Sequence, residues 1–290
     1  MREFILMTDS CCDLTEKTAA DLGIVTLPLT FEIDGTTCRN WLDGRDMDIS
    51  EFYRLLRAEK PASTSAVSVG DFEHAMREIL GRGQDILYLA FSSALSTTYQ
   101  SACIAAEDMK EEFPDRKVLT VDSLCASGGQ GLLVWLCAKE MEQGKSLEEV
   151  RDYAEATKGR ICHWFTVDDL NHLKRGGRVN AATAFFGTML SIKPVLHVDD
   201  QGRLIPIRKV RGRKASLTAL VDEMEKTVIE PEKQTIFITH GDCLEDAQFV
   251  ADEVTRRFGI TDIHINYVGP VIGNHSGPGT LALFFLGKER

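Results

Sequence analysis

A chain of 290 residues is long for one domain and comfortable for two, and a hydrophobic content of 43% is enough to fill sizeable cores. The formal net charge of -11 and the isoelectric point near 5.2 argue against nucleic acid, whose backbone demands a basic surface, and against electrostatic docking on anionic lipid. No apolar run approaches the roughly 20 residues needed to span a bilayer, and the first residues lead straight into a strand pattern rather than a signal-peptide core, so a cytoplasmic location is expected.

In chain order, residues 4–7 predict a strand. Asp13 with Glu16 three residues on reads as a capping box for a helix ending at Gly23. Residues 25–31 and 36–38 read as strands flanking Asp34-Gly35, a hairpin signal. Helices are predicted over 49–59, 70–80, 97–112 and 128–142, with strands over 86–91 and 117–121. A helix over 146–158 closes this unit, and a new strand starts at 160–166. Beyond it, residues 194–198 and 203–208 read as antiparallel strands around Asp200-Gln201-Gly202. Helices over 213–227 and 245–258 separate strands over 235–239 and 263–267. Apolar runs 267–272 and 281–286 then bracket Asn274-His275-Ser276-Gly277-Pro278-Gly279-Thr280, a turn whose glycines let a ligand approach the main chain. The fold class is therefore α/β in two domains. Residues 1–158 form a mainly parallel sheet with flanking helices, and 159–290 form a mixed sheet.

The eight cysteines are scattered without a C-x-x-C pair and read as reduced, mainly buried thiols. Cys11 and Cys12 follow a predicted strand, yet no His, Lys or Arg adjoins them to lower a pKa. The seven histidines are dispersed with no H-x-x-x-H spacing, so no metal is expected. Neither a P-loop nor a dinucleotide fingerprint is present; Gly128-Gly129-Gln130-Gly131 reads instead as a helix packed closely on its neighbours.

Four segments are rich in hydroxyls and carboxylates: Thr8-Asp9-Ser10, Ser92-Ser93-Ala94-Leu95-Ser96-Thr97-Thr98 and Asp122-Ser123 follow predicted strands, and Ala62-Ser63-Thr64-Ser65 precedes a predicted helix. Any one alone reads as a helix cap. Several at one sheet edge point to a polar subsite, and helix N-termini at Ser96 or Thr64 would welcome an anion. In the second half, Lys174-Arg175-Gly176-Gly177-Arg178 and Arg208-Lys209-Val210-Arg211 concentrate positive charge in an acidic protein, either as solvated surface or as groups facing an anion or an acidic partner.

Together these segments resemble the DegV family, whose members are similar to the fatty-acid-binding subunit of bacterial fatty acid kinase. The resemblance runs from end to end through Thr8-Asp9-Ser10, Ser63-Thr64-Ser65, the Ser92–Ser101 stretch, Asp122-Ser123, Gly176-Gly177-Arg178, Lys193-Pro194 and His275-Ser276-Gly277-Pro278-Gly279. It implies a lipid tunnel at the domain junction, holding a long-chain fatty acid and needing no cofactor or metal. The acid would be delivered to a separate ATP-dependent kinase subunit, with transient membrane contact for lipid exchange and no catalysis by this chain. By motif matching, the carboxylate contacts fall on Thr64, Ser96 and His275. Arg211 is the leading basic neighbour and Arg178 the second; Ser65, Thr97, Ser123, Ser276 and Gly277 are supporting groups. The sequence departs from the family pattern at Thr97, where Gly is common, at Ala66-Val67, where Gln-Pro is common, and at Cys11-Cys12, where small or hydroxyl residues are common.

Physical chemistry is compatible with a lipid. Burying ~15 methylenes is worth roughly 12 kcal/mol gross, whereas each neutral hydrogen bond adds only about 1 kcal/mol. The chief rival is a serine hydrolase acting on an acyl ester, with Ser96 or Ser123 as nucleophile, His275 as base and Asp9 as orienter. Against it, no G-x-S-x-G elbow is present and the serines stand among other hydroxyls. A purely structural or interaction role leaves the four polar segments as coincident caps.

Overall fold

The computed structural model describes residues 3–179 and 192–290. The first half contains strands β1 (Phe4–Asp9), β2 (Val25–Leu27), β3 (Thr30–Ile33), β4 (Thr36–Arg39), β5 (Ala62–Ser65), β6 (Asp85–Ala90) and β7 (Val118–Asp122). Helices α1 (Glu16–Leu22), α2 (Ile49–Arg57), α3 (Val69–Leu80), α4 (Thr98–Glu112), α5 (Gly128–Glu142) and α6 (Leu147–Lys158) alternate with them. Four strands pair in parallel in the order β2-β1-β6-β7. β1 and β6 are apolar at nearly every position because helices cover both faces of this sheet.

The second half adds β8 (Ile161–Thr166), α7 (Leu170–Arg175), β9 (Ile192–Val198), β10 (Leu204–Arg211) and α8 (Arg213–Thr227). These are followed by β11 (Ile236–His240), α9 (Leu244–Phe258), β12 (Ile263–Tyr267), α10 (Pro270–Ser276) and β13 (Leu281–Leu286). Its six strands run in the order β10-β9-β8-β13-β11-β12, mixed because only β11 and β12 pair in parallel. Helix α5 is buried from Gly128 to Val134 and packs against both sheets, and one core joins Leu6 and Leu87 of the first sheet to Phe165, Phe237 and Phe284 of the second. The glycines of its first turns make this approach possible. A Cβ at Gly129 would lie 2.1 Å from Nε2 of His163, and one at Gly131 would lie 2.4 Å from the Cys12 carbonyl oxygen.

Local chemistry sets most element ends. Asp34 and Gly35 have φ of 51° and 77°, the two positive values that a tight hairpin between β3 and β4 requires. Ser146 and Glu149 form a capping box on α6.

Four local expectations are corrected. The first helix is capped by Thr15 and not by Asp13; Asp13 adopts the left-handed conformation at φ 49° and turns its carboxyl inward. The run over 25–31 splits at Pro28, which has no amide to donate: β2 joins the parallel sheet, and β3 starts a separate antiparallel sheet ordered β4-β3-β5. Thr64 lies on β5, not at a helix start, and Ser68 caps α3 instead. The apolar run over 267–272 leaves its strand at Tyr267, and Pro270 opens α10, so His275 and Ser276 stand in the last turn of a helix.

Candidate functional site

Between the two sheets lies a cavity of about 470 Å³, within the range of small-molecule sites. Its walls are largely apolar, with Leu29, Phe91, Phe165, Leu204, Val271 and Phe284 among them. Polar side chains also line it, among them Thr64 and Ser65 from β5, Ser96 and Thr97 before α4, Arg178 after α7, and His275 and Ser276 at the end of α10. Ala282 pairs with Phe165 and Phe284 with His163, alternation brings Ala282 and Phe284 to one face of β13, and Thr280 just before the strand also lines the cavity. At ~3.4 Å per residue, the wall from Thr280 to Phe284 spans about 14 Å.

Thr64 Oγ1 and His275 Nε2 are 2.9 Å apart. The other ring nitrogen, Nδ1, is buried without a partner and faces Gly176, where a Cβ would approach to 2.3 Å. A proton on Nδ1 would be a buried donor with no acceptor, so the neutral ring carries its hydrogen on Nε2 and donates to Thr64. The Thr64 hydroxyl hydrogen is then free for another acceptor. Burial, assisted by the Arg178 guanidinium, pushes the His275 pKa down to about 4, so the ring is neutral at pH 7. Ser96 Oγ accepts from the Thr98 amide at 3.2 Å and bonds the Thr98 hydroxyl at 2.9 Å in the turn that leads into α4. Arg178 donates to the Leu95 carbonyl at 3.3 Å and to the Gly176 carbonyl, tying this loop to the turn under His275. The Ser276 hydroxyl is buried with no partner.

The structure thus brings Thr64, Ser65, Ser96, Thr97, Arg178, His275 and Ser276 to one cavity. It does not bring Ser123, Arg211 or Gly277 to its wall. Ser123 is buried and accepts from the Cys125 amide at 3.0 Å, and Arg211 is exposed at the end of β10. Gly277 caps α10 at φ 84°, where a Cβ would meet the His172 ring. Asp9 is buried, accepting from the amides of Cys11 and Phe91, from the Tyr88 hydroxyl and from Gln130. Its carboxylate orients no histidine: the hydrogen-bond partner of the His275 ring is Thr64, so the Ser-His-Asp alignment drawn from sequence is not formed.

Two cavity residues escaped the sequence reading. His163 is buried in β8, donating from Nδ1 to the Ile161 carbonyl and accepting at Nε2 from the Ala126 amide. Burial holds it neutral. Ser127 has φ 54° and ψ -141°, unusual for a residue with a side chain, and bonds both Asp13 and Thr239. Its one signal was the Gly128-Gly129 pair, which shows close packing without revealing what is packed. Among the described residues, no group of His, Cys, Asp and Glu could hold a metal ion, and no helix is long and apolar enough to cross a membrane.

A family model described as "Uncharacterised protein, DegV family COG1307" matches residues 3–288. A DegV domain-containing protein of Clostridium perfringens is 46% identical, covering 100% of this chain and 99% of the relative. Among solved structures, a DegV lipid binding protein from Thermotoga maritima superposes with a TM-score of 0.88 at 29% identity, covering 99% of each chain. A DegV family protein from Thermus thermophilus, described by its fatty acid binding, gives a TM-score of 0.87 at 31% identity over 99% of this chain and 100% of its own.

Proposed function

The chain belongs to the DegV family, and from that premise we propose that it binds a long-chain fatty acid in the cavity between its sheets and presents the acid to a separate ATP-dependent kinase. The observation that carries this reading is that the Thr64–His275 pair, Ser96 and Arg178 share one cavity with a largely apolar wall. A buried carboxylate demands donors. Thr64 is left with a free hydroxyl hydrogen by the His275 donation, Ser96 stands at the start of α4, and Arg178 supplies the positive charge. Thr97, Ser65 and Ser276 complete the polar lining, while the apolar walls supply the affinity.

The halves divide near Gly159 into two domains with the lipid at their junction. The chain itself has no catalytic role in this reading, and acyl phosphate forms on the kinase subunit. Arg211, exposed at the opposite end of β10 from the cavity-lining Leu204, serves contact with an acidic partner surface rather than the carboxylate. The protein works in the cytoplasm, touching membranes only to exchange lipid. Organic extraction of the purified protein followed by mass spectrometry tests the first step. A stoichiometric long-chain fatty acid is expected; a lipid-free extract from protein that also takes up no added fatty acid would refute the reading.

A further inference from the structure

Ser92 follows β6 and is fully buried, yet it does not line the cavity; the residues after it, from Ser93 to Thr97, all do. The amides of that loop are held at its root. Ser93 donates to Asp122 Oδ1 at 3.1 Å and Ala94 to Ser92 Oγ at 3.3 Å, while the Leu95 and Ser96 amides reach the Ser92 carbonyl at 3.0 and 3.2 Å. Having accepted from Ala94, the Ser92 hydroxyl donates its one hydrogen to the Gly202 carbonyl at 3.0 Å. Gly202 stands 110 residues further on, in the turn between β9 and β10. Its φ is 75°, and a Cβ there would lie 2.2 Å from Ser92 Oγ and 3.1 Å from the Leu124 Cα, so only glycine permits this approach.

A buried hydroxyl used both as donor and as acceptor fixes the geometry of the groups it joins. We propose, resting on the fatty acid reading, that Ser92 is a positioning residue: it locks the Ser93–Thr97 loop onto the β9–β10 hairpin and so sets where Ser96 meets the carboxylate. The hairpin is a suitable anchor because it belongs to the same cavity, with Val198 before the turn and Leu204 after it on the wall. The turn is itself stiffened by Asp199 Oδ1, which accepts from the Gln201 and Arg203 amides at 2.9 Å each. Arg178 holds the far side of the loop through the Leu95 carbonyl at 3.3 Å. Without the Ser92 tie, the loop could pivot about that contact and carry Ser96 away from Thr64 and His275, which stand on other elements.

Two measurements on wild type, Ser92→Ala, Ser96→Ala and the double variant test this: release of a fluorescent fatty acid, and amide hydrogen exchange of the lipid-free chain. Ser92→Ala should release the acid about fivefold faster, the worth of one hydrogen bond. It should also raise amide exchange at Ala94, Leu95 and Ser96 about tenfold. In the Ser96→Ala background, adding Ser92→Ala should change release by less than about twofold, whereas a residue that only stabilised the fold would act equally in both backgrounds. Ser92→Cys keeps a weak donor in place and should fall between wild type and Ser92→Ala; it carries the same comparison if the alanine variant does not fold. Unchanged amide exchange in the loop, or a full Ser92→Ala effect on release in the Ser96→Ala background, overturns the proposal. A wild-type chain that takes up no fatty acid defeats the fatty acid reading instead, and amide exchange without lipid still decides whether Ser92 holds the loop.

Discussion

Thr64 and His275, separated by 211 residues, meet at 2.9 Å between hydroxyl oxygen and Nε2. Because the imidazole donates to the hydroxyl, the two act as one relay toward whatever accepts from Thr64. Replacing Thr64 with Val or His275 with Ala should each weaken fatty acid retention by about 1–2 kcal/mol while melting moves little. The double variant should fall short of the sum, with a coupling of at least about 0.5 kcal/mol. Exchange of a fluorescent fatty acid measures all three, and strict additivity would show that the pair is not a relay.

Gly176 places no demand on backbone freedom, since its φ is -70°. Its requirement is space for the His275 ring, because a Cβ would stand 2.3 Å from Nδ1. Gly176→Ala should displace the imidazole, cost about 1–3 kcal/mol of stability and accelerate lipid exchange. A variant with unaltered melting and exchange would show that the turn yields without moving the ring.

The pH dependence has a definite sign. His275 titrates near 4 when folded against an ordinary value of 6.5, so between those values the unfolded chain holds a proton that the folded one does not. Its share of stability is complete above about pH 6.5, falls as pH drops and is fully lost below about pH 4, amounting to about 3 kcal/mol. His163 and His197, also held neutral by burial, act in the same direction. Asp13 acts oppositely, its raised pKa favouring the folded chain as pH falls from 7 toward 4. Denaturant midpoints of wild type and His275→Gln from pH 4 to 7 should therefore converge at the acid end, and parallel curves would contradict the assignment.

Tyr53 of α2 donates to the Val268 carbonyl at 2.8 Å, a buried bond that joins the two halves beside the cavity. Tyr53→Phe leaves that carbonyl without its donor and should cost about 1–2 kcal/mol, lowering the melting temperature by a few degrees. Calorimetry checks this. An unchanged melting point would mean that water replaces the hydroxyl.

Lipid-loaded protein mixed with ATP and Mg²⁺ should give no acyl hydroxamate when hydroxylamine is added, and should give it once a fatty acid kinase catalytic subunit is present. Acyl phosphate trapped from the chain alone would make it an enzyme in its own right. Failure with several authentic kinases would assign the bound acid to another lipid pathway.

What the sequence alone determined was local. The long apolar run from Gly128 to Glu142 marks α5 with its observed bounds, Ser146 announces α6, and Asp34-Gly35 turns the hairpin, because caps, turns and element-length apolar runs are local signals. The hydroxyl-rich segments were legible for the same reason, and five of their hydroxyl residues, Thr64, Ser65, Ser93, Ser96 and Thr97, line one cavity. Tertiary structure decided the rest. Whether Asp13 caps a helix or faces Gly269, whether Arg178 or Arg211 reaches the cavity, and whether His275 ends a helix or a connector depend on how two sheets close around α5. That closure is set by burying apolar faces from opposite ends of the chain, which no local window contains. Ser127 is the limiting case: its strained backbone is held by Asp13 and Thr239, each more than 110 residues away, and nothing in its immediate neighbours specifies either contact.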